Sequence, residues 1–503
     1  MQKNVSAAPL PPRPSGPRGR AALEHWLTRV LMLLIAALLG WRLVLFIARV
    51  VATLPHPFQF DPTEGILLSE FVLLTQRVNI YAPFTPAAFV SAPYPPVYYA
   101  LVAPLLRFTG VNFVAGRAVA LLATLAVALF AALIVARQAP RWWAWLAAAC
   151  WLGSLPVLVW ATRLKPDVLA VAFSVAGLWL AAGAEHDKKG HAREWLGLNL
   201  THHLLPALCF ALAFYSKQSA WAAGMAVGVW LLRRDWRLGL RWGILQAALL
   251  VLPFVLLDLV TRHGFWIHMV DYHALPWSAR RWLGIVGDMS GLHAVLLVLT
   301  GVYLVDGLRR WQLPALYIVW AAVATFSGGT FGGFHNHALE WLAALCLGAA
   351  LGLHTLWQRQ RLRPLALALL AAQIAAWWLT PGWLAYELGN LPNAATTRRL
   401  EGIQRLVRGV PGPVWGDNVG LIVTAGKPVV FNDPLIMAQA ADLGWWDDQQ
   451  FRSMLAAGGF DLILWRGDLA TRPNDLTAAQ WDALRQHYRI KYHDVLRVYE
   501  PGQ

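Results

Sequence analysis

Residues 114–136, VAGRAVALLATLAVALFAALIVA, decide the fold. A helix that crosses a bilayer needs about 20 mostly apolar residues, and this run has that length and composition. Further apolar runs lie on both sides of it, at about 28–52, 142–161, 167–184, 201–215, 219–232, 239–261, 289–308, 311–327, 337–356 and 364–382. The sequence therefore predicts a mainly α-helical, polytopic transmembrane bundle of about eleven helices.

The composition agrees with a chain that lies in lipid. Of its 503 residues, 58% are hydrophobic and 14% are charged, whereas soluble domains carry about 25% charged residues. The net charge of +15 could indicate nucleic acid as a partner. We exclude nucleic acid, because the basic residues lie in short clusters between apolar runs, as in the cytoplasmic loops of membrane proteins. Three cysteines, each inside an apolar run, indicate no disulfide or metal framework.

The orientation depends on the short apolar run 95–108. At about 1.5 Å per residue it covers about 20 Å of a core about 30 Å thick, so we expect a helix lying at the interface. Every loop on the side of the N-terminus is then basic, which predicts a cytoplasmic N-terminus in a bacterial inner membrane. The residues concerned are Arg137, Arg141, Lys188, Lys189, Arg193, Arg233, Arg234, Arg237, Arg241, Arg309, Arg310, Arg359, Arg361 and Arg363.

Four regions follow from this topology. Residues 1–25 are predicted to be a disordered basic cytoplasmic tail, and 26–383 the transmembrane part, with a first outer loop at 53–113. Residues 384–503 alternate strand-like and helix-like runs, which predicts a small periplasmic α/β domain. Its predicted strands are 413–415, 428–431, 462–465 and 495–499, and its predicted helices are 395–408, 447–457 and 476–488.

The first outer loop contains two carboxylates, Asp61 and Glu64, in Phe-Asp-Pro-Thr-Glu-Gly. At this spacing they share one face at the start of a helix, as a catalytic pair would. Acids at a helix N-terminus also simply compensate the helix dipole. Tyr94, in Tyr-Pro-Pro-Val-Tyr-Tyr, starts the interfacial helix and is a candidate to line a site, whereas Tyr98 and Tyr99 are expected to anchor that helix at the headgroups.

Three other polar segments are predicted on the same outer side. Arg163, Lys165 and Asp167 follow one span, where cations favour a phosphate site or an internal ion pair. Lys217 and Gln218 form the turn of a helical hairpin, either as a cationic phosphate contact or as polar residues that simply meet water. Asn336 precedes a span that holds Glu340, and an ionisable residue inside a span is functional by default.

Taken in order, these motifs resemble the GT-C superfamily of membrane glycosyltransferases, over about residues 55–345. The likeness is to uncharacterised bacterial members distantly related to protein O-mannosyltransferases and aminoarabinose transferases. It implies a cavity on the periplasmic face, a polyprenyl-phosphate-linked sugar as donor and an acidic base in the first loop, at Asp61 or Glu64. This sequence departs from the family in having Pro-Thr between the two acids and Tyr94 before the double proline.

We therefore predict transfer of a hexosyl or pentosyl unit to a lipid or glycan acceptor. Asp61 is the predicted base, Glu64 an orienting partner or alternative base, and Arg163, Lys165 and Lys217 the phosphate contacts, with inversion by a single displacement. No cofactor is expected; Asp61 and Glu64 could bind a divalent metal, but hard cations need more oxygen ligands than these two residues offer. Competing interpretations are a lipid or oligosaccharide flippase or transporter, an oligosaccharide ligase, and a non-catalytic scaffold of cell-envelope glycan assembly.

Overall fold

Each apolar run predicted as a span coincides with helix in the computed structural model, which describes residues 17–183, 194–195, 198–389, 391–467 and 470–502. The helices up to the last span are α1 Pro17–Thr53, α2 Pro62–Thr75, α3 Pro96–Val102, α4 Leu106–Thr109, α5 Val114–Ala136, α6 Arg141–Gly153, α7 Leu155–Trp160, α8 Asp167–Ala182, α9 Leu205–Ser216, α10 Ala222–Arg234, α11 Trp236–Val260, α12 Gly264–Met269, α13 Ala279–Leu292, α14 Ala294–Arg309, α15 Leu313–Ala324, α16 Leu339–Trp357 and α17 Arg363–Ala376. Short 3₁₀ turns lie at Ala103–Leu105, Asp271–His273, Thr325–Gly329, His335–Ala338 and Gln360–Leu362, a π turn at Leu200–Leu204, and a two-stranded antiparallel sheet at β1 Glu194–Trp195 and β2 Leu198–Asn199.

Several of these helices are too short, or too bent, to cross a membrane alone. Within the described ranges, four are long and apolar enough: Ala22–Thr53, Val114–Ala136, Trp236–Val260 and His335–Trp357. A fifth is obtained if α13 and α14, which meet at 91°, count as one span. The predicted span 142–161 is divided at Ser154 into α6 and α7, where Pro156 cannot donate a backbone hydrogen bond.

The structure differs from the predicted boundary near the N-terminus and does not describe part of the second predicted inner loop. Helix α1 begins at Pro17, earlier than the boundary predicted at residue 26. Residues 1–16 and the predicted loop cations Lys188, Lys189 and Arg193 lie outside the described residues.

The polar loops gather at the two ends of α16. At its C-terminal end, His354 lines a cavity together with Arg137 and Arg310 from two loops predicted as cytoplasmic. At its N-terminal end, Asn336 lines a second cavity together with Lys165 and Lys217. The segments predicted to share the outer side therefore meet in space.

The run 95–108 is helical but interrupted, with α3 and α4 joined by a 3₁₀ turn. The prediction that Tyr98 and Tyr99 anchor this helix at the headgroups is wrong, because both rings are buried in protein. Tyr98 donates to the carbonyl of Gly116 at 3.1 Å and Tyr99 to the carboxylate of Glu70 at 2.6 Å. Both hydroxyls therefore point into the protein, toward these hydrogen-bond acceptors.

In the described part of the C-terminal region, a mixed four-stranded sheet lies among six helices. The helices are α18 Gly382–Gly389, α19 Ala394–Gly409, α20 Val419–Thr424, α21 Pro434–Asp442, α22 Gln449–Ala456 and α23 Ala478–His487, and the strands are β3 Val414–Gly416, β4 Leu462–Trp465, β5 Tyr488–His493 and β6 Arg497–Pro501. The strand order is β3-β4-β6-β5, with β3 parallel to β4 and the other pairs antiparallel. The predicted strand 428–431 forms only an isolated bridge between Phe431 and Phe89, whereas β5 was not predicted.

The C-terminal region and the first loop share their apolar cores. Phe58 packs in one buried cluster with Ile403 and Leu462. Phe89 packs in another with Trp446, whose indole donates to the carbonyl of Thr85 at 2.8 Å. This joint packing places the C-terminal region beside the first loop, at the end of the bundle where Asn336 lines the second cavity.

Candidate active site

A cavity of about 720 Å³ lies where the first loop, the bundle and the C-terminal region meet. Its polar lining comes from segments far apart in the sequence: Thr63, Tyr94, Lys165, Lys217, Gln218, Ser219, His273, Ser327, Thr330, Asn336, His337, Asp417, Asp433 and Asp475. Five of the predicted site residues are in this lining, namely Tyr94, Lys165, Lys217, Gln218 and Asn336. A volume of this size is in the range of small-molecule sites.

Asp61, the N-cap of α2, and Arg163 are not among the lining residues, but Pro62, which follows Asp61, and Lys165 are. Oδ1 of Asp61 accepts the backbone N–H of Thr63 at 2.9 Å, and Pro62 fixes the first helical residue. The same oxygen lies 3.2 Å from Nζ of Lys165, and Oδ2 lies 3.9 Å from Nε of Arg163. Burial alone would raise the pKa of Asp61, but Lys165 and Arg163 outweigh it and hold the pKa below its usual value. The carboxylate is therefore ionised at neutral pH.

A second carboxylate holds the other lysine. Asp167, at the start of α8, bonds Nζ of Lys217 and accepts Nδ2 of Asn336 at 2.6 Å, all through Oδ1. Both partners line the cavity, whereas Asp167 itself is buried behind them. The Arg163–Asp167 segment, the hairpin turn and the residues before α16 are thus connected by direct contacts.

Glu64 is fully buried and lies away from the cavity lining. Arg117 donates to its Oε1 from Nε at 3.0 Å and to its Oε2 from Nη2 at 2.9 Å. The backbone N–H groups of Phe60 and Leu164 donate to the same two oxygens at 2.7 and 2.9 Å. These contacts connect Glu64 to both segments that carry cavity residues.

Gln218, in the hairpin turn between α9 and α10, faces the loop that follows α12. Its amide nitrogen, Nε2, lies 3.3 Å from Nε2 of His273 and 3.4 Å from the carbonyl of Pro93. Burial lowers the pKa of His273, so this ring is neutral near pH 7. Next to Pro93, Tyr94 is half-buried, and its carbonyl accepts the hydroxyl of Tyr81 at 2.8 Å.

Glu340 lies inside α16 rather than in the cavity lining. It is 6% exposed, and the hydroxyl of Tyr317 lies 3.5 Å from its backbone carbonyl. Glu340 therefore lies in the interior of the bundle and not in the cavity lining.

Three carboxylates of the cavity wall were not predicted from the sequence: Asp417, Asp433 and Asp475. Asp417 pairs with Nε of Arg466 at 3.1 Å. Asp433 caps α21 by accepting the N–H of Ile436 at 3.2 Å, and burial raises its pKa to about 6. The Asn-Asp-Pro sequence at 432–434 is a helix-start signal, but nothing local shows which cavity the cap faces. In the part of the chain that the structure describes, no three His, Cys, Asp or Glu side chains are grouped as metal ligands.

Known proteins share this fold. Residues 93–260 match the family described as dolichyl-phosphate-mannose-protein mannosyltransferase. In fold, the chain is similar to ArnT from Cupriavidus metallidurans in the apo state, with a TM-score of 0.60 and 14% identity over 93% of this chain and 97% of that one. The predicted resemblance to GT-C membrane glycosyltransferases is confirmed.

Two further solved structures extend the comparison. ArnT bound to undecaprenyl phosphate matches with a TM-score of 0.59 and 15% identity over 93% of this chain and 97% of that chain. The oligosaccharyltransferase AglB from Archaeoglobus fulgidus, in complex with an inhibitory peptide and a dolichol-phosphate, matches with a TM-score of 0.55 and 12% identity over 93% and 74%. No curated protein sequence matches this chain significantly. At these identities the structural likeness concerns the fold.

Proposed function

We propose that this protein transfers a sugar from a polyprenyl-phosphate donor to a lipid or glycan acceptor, in the cavity at the outer end of the bundle. The observation that carries the proposal is that Lys165 and Lys217 line one cavity and that Asp61 forms an ion pair with Lys165 at 3.2 Å. A carboxylate paired with one of two cavity lysines supplies the two functions that the reaction needs, a base and a cradle for phosphate. Related folds that bind undecaprenyl phosphate and dolichol-phosphate support the choice of donor.

In the proposed reaction, an acceptor hydroxyl attacks the anomeric carbon of the donor. The bond from that carbon to the phosphate oxygen breaks as the bond to the acceptor oxygen forms, and Asp61 takes the hydroxyl proton. A general base of this kind contributes about 10²- to 10⁴-fold to a rate. One base and one displacement invert the anomeric centre, whereas retention would need a second carboxylate as nucleophile.

The leaving polyprenyl phosphate carries the negative charge that the site must stabilise. Lys165 and Lys217 are assigned to its oxygens, with Arg163 beside Asp61 as a third cation. Fixed cations near developing charge stabilise a transition state more than most other groups in an active site do. Both lysines pair with carboxylates of the protein, so they are held in place before the phosphate binds.

The remaining predicted residues take supporting positions. Tyr94, Gln218 and Asn336 line the same cavity and are proposed to contact the substrates, while Asp167 holds Lys217 and Asn336 in place. Glu64 is assigned the orienting role rather than that of the base, because its oxygens are occupied by Arg117 and two backbone N–H groups. Glu340 is proposed to support the site indirectly, from its buried position in α16.

The basic loops at the far end of the bundle support a cytoplasmic N-terminus and a periplasmic cavity in a bacterial inner membrane. The C-terminal region, from about residue 384, is then periplasmic. It supplies Asp417 and Asp433 to the lining of the same cavity, and we propose that an acceptor approaches there.

The test is a transfer assay with the purified protein in liposomes that contain radiolabelled polyprenyl-phosphate sugars and a membrane extract as acceptor. We expect label to leave one donor and to appear in a lipid or glycan product. Retention of label in every donor, with a folded and inserted protein, would contradict the proposal. Movement of intact donor across the bilayer in the same liposomes would instead indicate a flippase.

A further inference from the structure

Two aromatic rings and a buried arginine lie directly behind the proposed base. The guanidinium carbon of Arg117 is 4.6 Å from the ring centre of Phe60, and that of Arg163 is also 4.6 Å from the same ring. On the side of Arg117, the ring of Phe113 lies 4.8 Å from the guanidinium. The contacts thus run from Phe113 through Arg117 and Phe60 to Arg163, which faces Asp61.

Arg117 is fixed at the start of this series of contacts. It is fully buried, and its N–H groups donate to both oxygens of Glu64 and to the carbonyls of Thr53, His56 and Phe58. A guanidinium with this many hydrogen bonds cannot rotate without leaving buried polar groups unpaired. It therefore provides a rigid support for the Phe60 ring.

Glu64, the partner of Arg117, also fixes the backbones of the two segments that carry Asp61 and Lys165. Glu64 accepts the N–H of Phe60, the residue before Asp61, at 2.7 Å. It also accepts the N–H of Leu164, the residue between Arg163 and Lys165, at 2.9 Å. One buried carboxylate thus sets the spacing between the segment of the base and the segment of the cations.

We propose that Arg117 and Phe60 are positioning residues, which hold Arg163 and Asp61 in the relative orientation that proton transfer and donor phosphate binding require. Arg117 does so through Glu64 and the two backbones, and Phe60 through its ring contact with Arg163. The inference rests on the proposed glycosyl transfer. It goes beyond it by assigning a function to two side chains that touch neither substrate.

The test compares two buried rings that contact the same arginine. Phe60 contacts both Arg117 and Arg163, whereas Phe113 contacts Arg117 in the same way and does not stack on Arg163. Small displacements of reacting groups cost up to about 100-fold in rate, so we expect Phe60→Leu to reduce transfer about tenfold and Phe113→Leu less than about twofold. Arg117 itself is left intact, because its loss would leave the buried Glu64 without its cationic partner.

Two readouts separate positioning from simple loss of packing. The first is binding of undecaprenyl phosphate, which we expect Phe60→Leu to weaken and Phe113→Leu to preserve at matched thermal midpoints. The second is the pH profile of transfer. Asp61 faces Lys165, Arg163 and Arg466, so a displaced Arg163 should move the acidic limb of the profile to higher pH in Phe60→Leu alone.

The outcomes are distinct. A selective effect of Phe60→Leu on transfer, binding and the acidic limb supports the inference. Equal effects of the two variants, or a lower rate in Phe60→Leu with an unmoved limb, would overturn it while wild-type transfer still supports the proposed function. A folded wild type that neither binds undecaprenyl phosphate nor transfers any sugar would overturn both.

Discussion

Lys165 and Asp61 form an ion pair of 3.2 Å at the edge of the cavity, although they belong to different loops. The pair is partly buried, with 16% of each side chain exposed. The lysine has two consequences for the proposed reaction. It offers a cation to the donor phosphate, and it helps to keep the pKa of Asp61 below its usual value, so that the carboxylate can accept a proton.

Replacing Lys165 by Met should therefore change both the rate and its pH dependence. The pKa of Asp61 lies below its usual value in the wild type, so the base is ionised to low pH. Without Lys165 the pKa rises, and the acidic limb of transfer moves to higher pH. We also expect transfer at neutral pH to fall about 100-fold, as after loss of one charge-stabilising group. The measurement is the pH profile of initial rates.

Lys217→Met is the matched comparison. Lys217 lines the same cavity but pairs with Asp167 rather than with Asp61. We expect a comparable loss of rate with little movement of the acidic limb. If both variants moved the limb equally, or if neither did, the assignment of Asp61 and Lys165 as the coupled pair would be wrong.

Gly65, which ends the Asp-Pro-Thr-Glu-Gly motif, permits the close approach of α2 to α20. A Cβ at Gly65 would lie 2.3 Å from the backbone nitrogen of Gly420 and 2.1 Å from Oε1 of Gln59. Overpacking of this kind costs about 1–3 kcal/mol. Gly65→Ala should therefore lower the thermal midpoint and reduce transfer, because α20 follows Asp417 on the cavity wall.

Gly402→Ala provides the control for that substitution. Gly402 lies within α19, and a Cβ there would meet no atom within 4 Å. Alanine favours a helix over glycine by about 1 kcal/mol, so this variant should be as stable as the wild type or more so. Equal midpoints for Gly65→Ala and the wild type would contradict the packing argument.

Glu70 joins the first loop to the C-terminal region inside the protein. It accepts the hydroxyl of Tyr99 at 2.6 Å, Nδ2 of Asn432 at 2.9 Å and the N–H of Ala92 at 3.1 Å. Burial raises the pKa of Glu70 to about 8. Since the folded pKa exceeds the unfolded one, its contribution to stability is complete below about pH 4.5 and is lost as the pH rises through 8.

Glu70→Gln removes this titration and nearly preserves the shape of the side chain. We expect the thermal midpoint of the wild type to fall, relative to that of the variant, as the pH rises from about 5.5 to about 8.5. Glu70 loses its proton in the folded protein mainly within this interval. Glu500→Gln is the comparison. Hydrogen bonding to Lys491 lowers the pKa of Glu500, so its protonation does not change in that range. A midpoint difference for Glu70→Gln that stayed constant with pH would refute the account.

Much of the helical part could be predicted from the sequence, because apolar length is a local property. The run 114–136 is α5 residue for residue. The grouping of Lys165, Lys217 and Asn336 was also predictable, since alternate loops of a helical bundle return to the same side. Charge in the loops and apolar length in the helices were sufficient for these assignments.

The contacts that complete the site could not be predicted, because they join distant residues. Glu64 is partnered by Arg117, and Asp433 reaches the cavity only because residues 430–432 pair with the first loop around Phe89. Tertiary packing decided these contacts. Strand β5 is a different case, because Tyr488, Ile490 and Tyr492 alternate with polar residues, a strand signal that the prediction overlooked.

The most direct test of the central claim is the transfer rate of Asp61→Asn, measured in liposomes with the donor that the wild type uses. Asp494→Asn is the control, because Asp494 forms a more exposed ion pair with Arg399 at 3.0 Å, and neither Asp494, its chain neighbours nor Arg399 lines the cavity. We predict that Asp61→Asn loses about 10²- to 10⁴-fold in rate, whereas Asp494→Asn keeps wild-type activity. Transfer by Asp61→Asn at the wild-type rate would show that Asp61 is not the base.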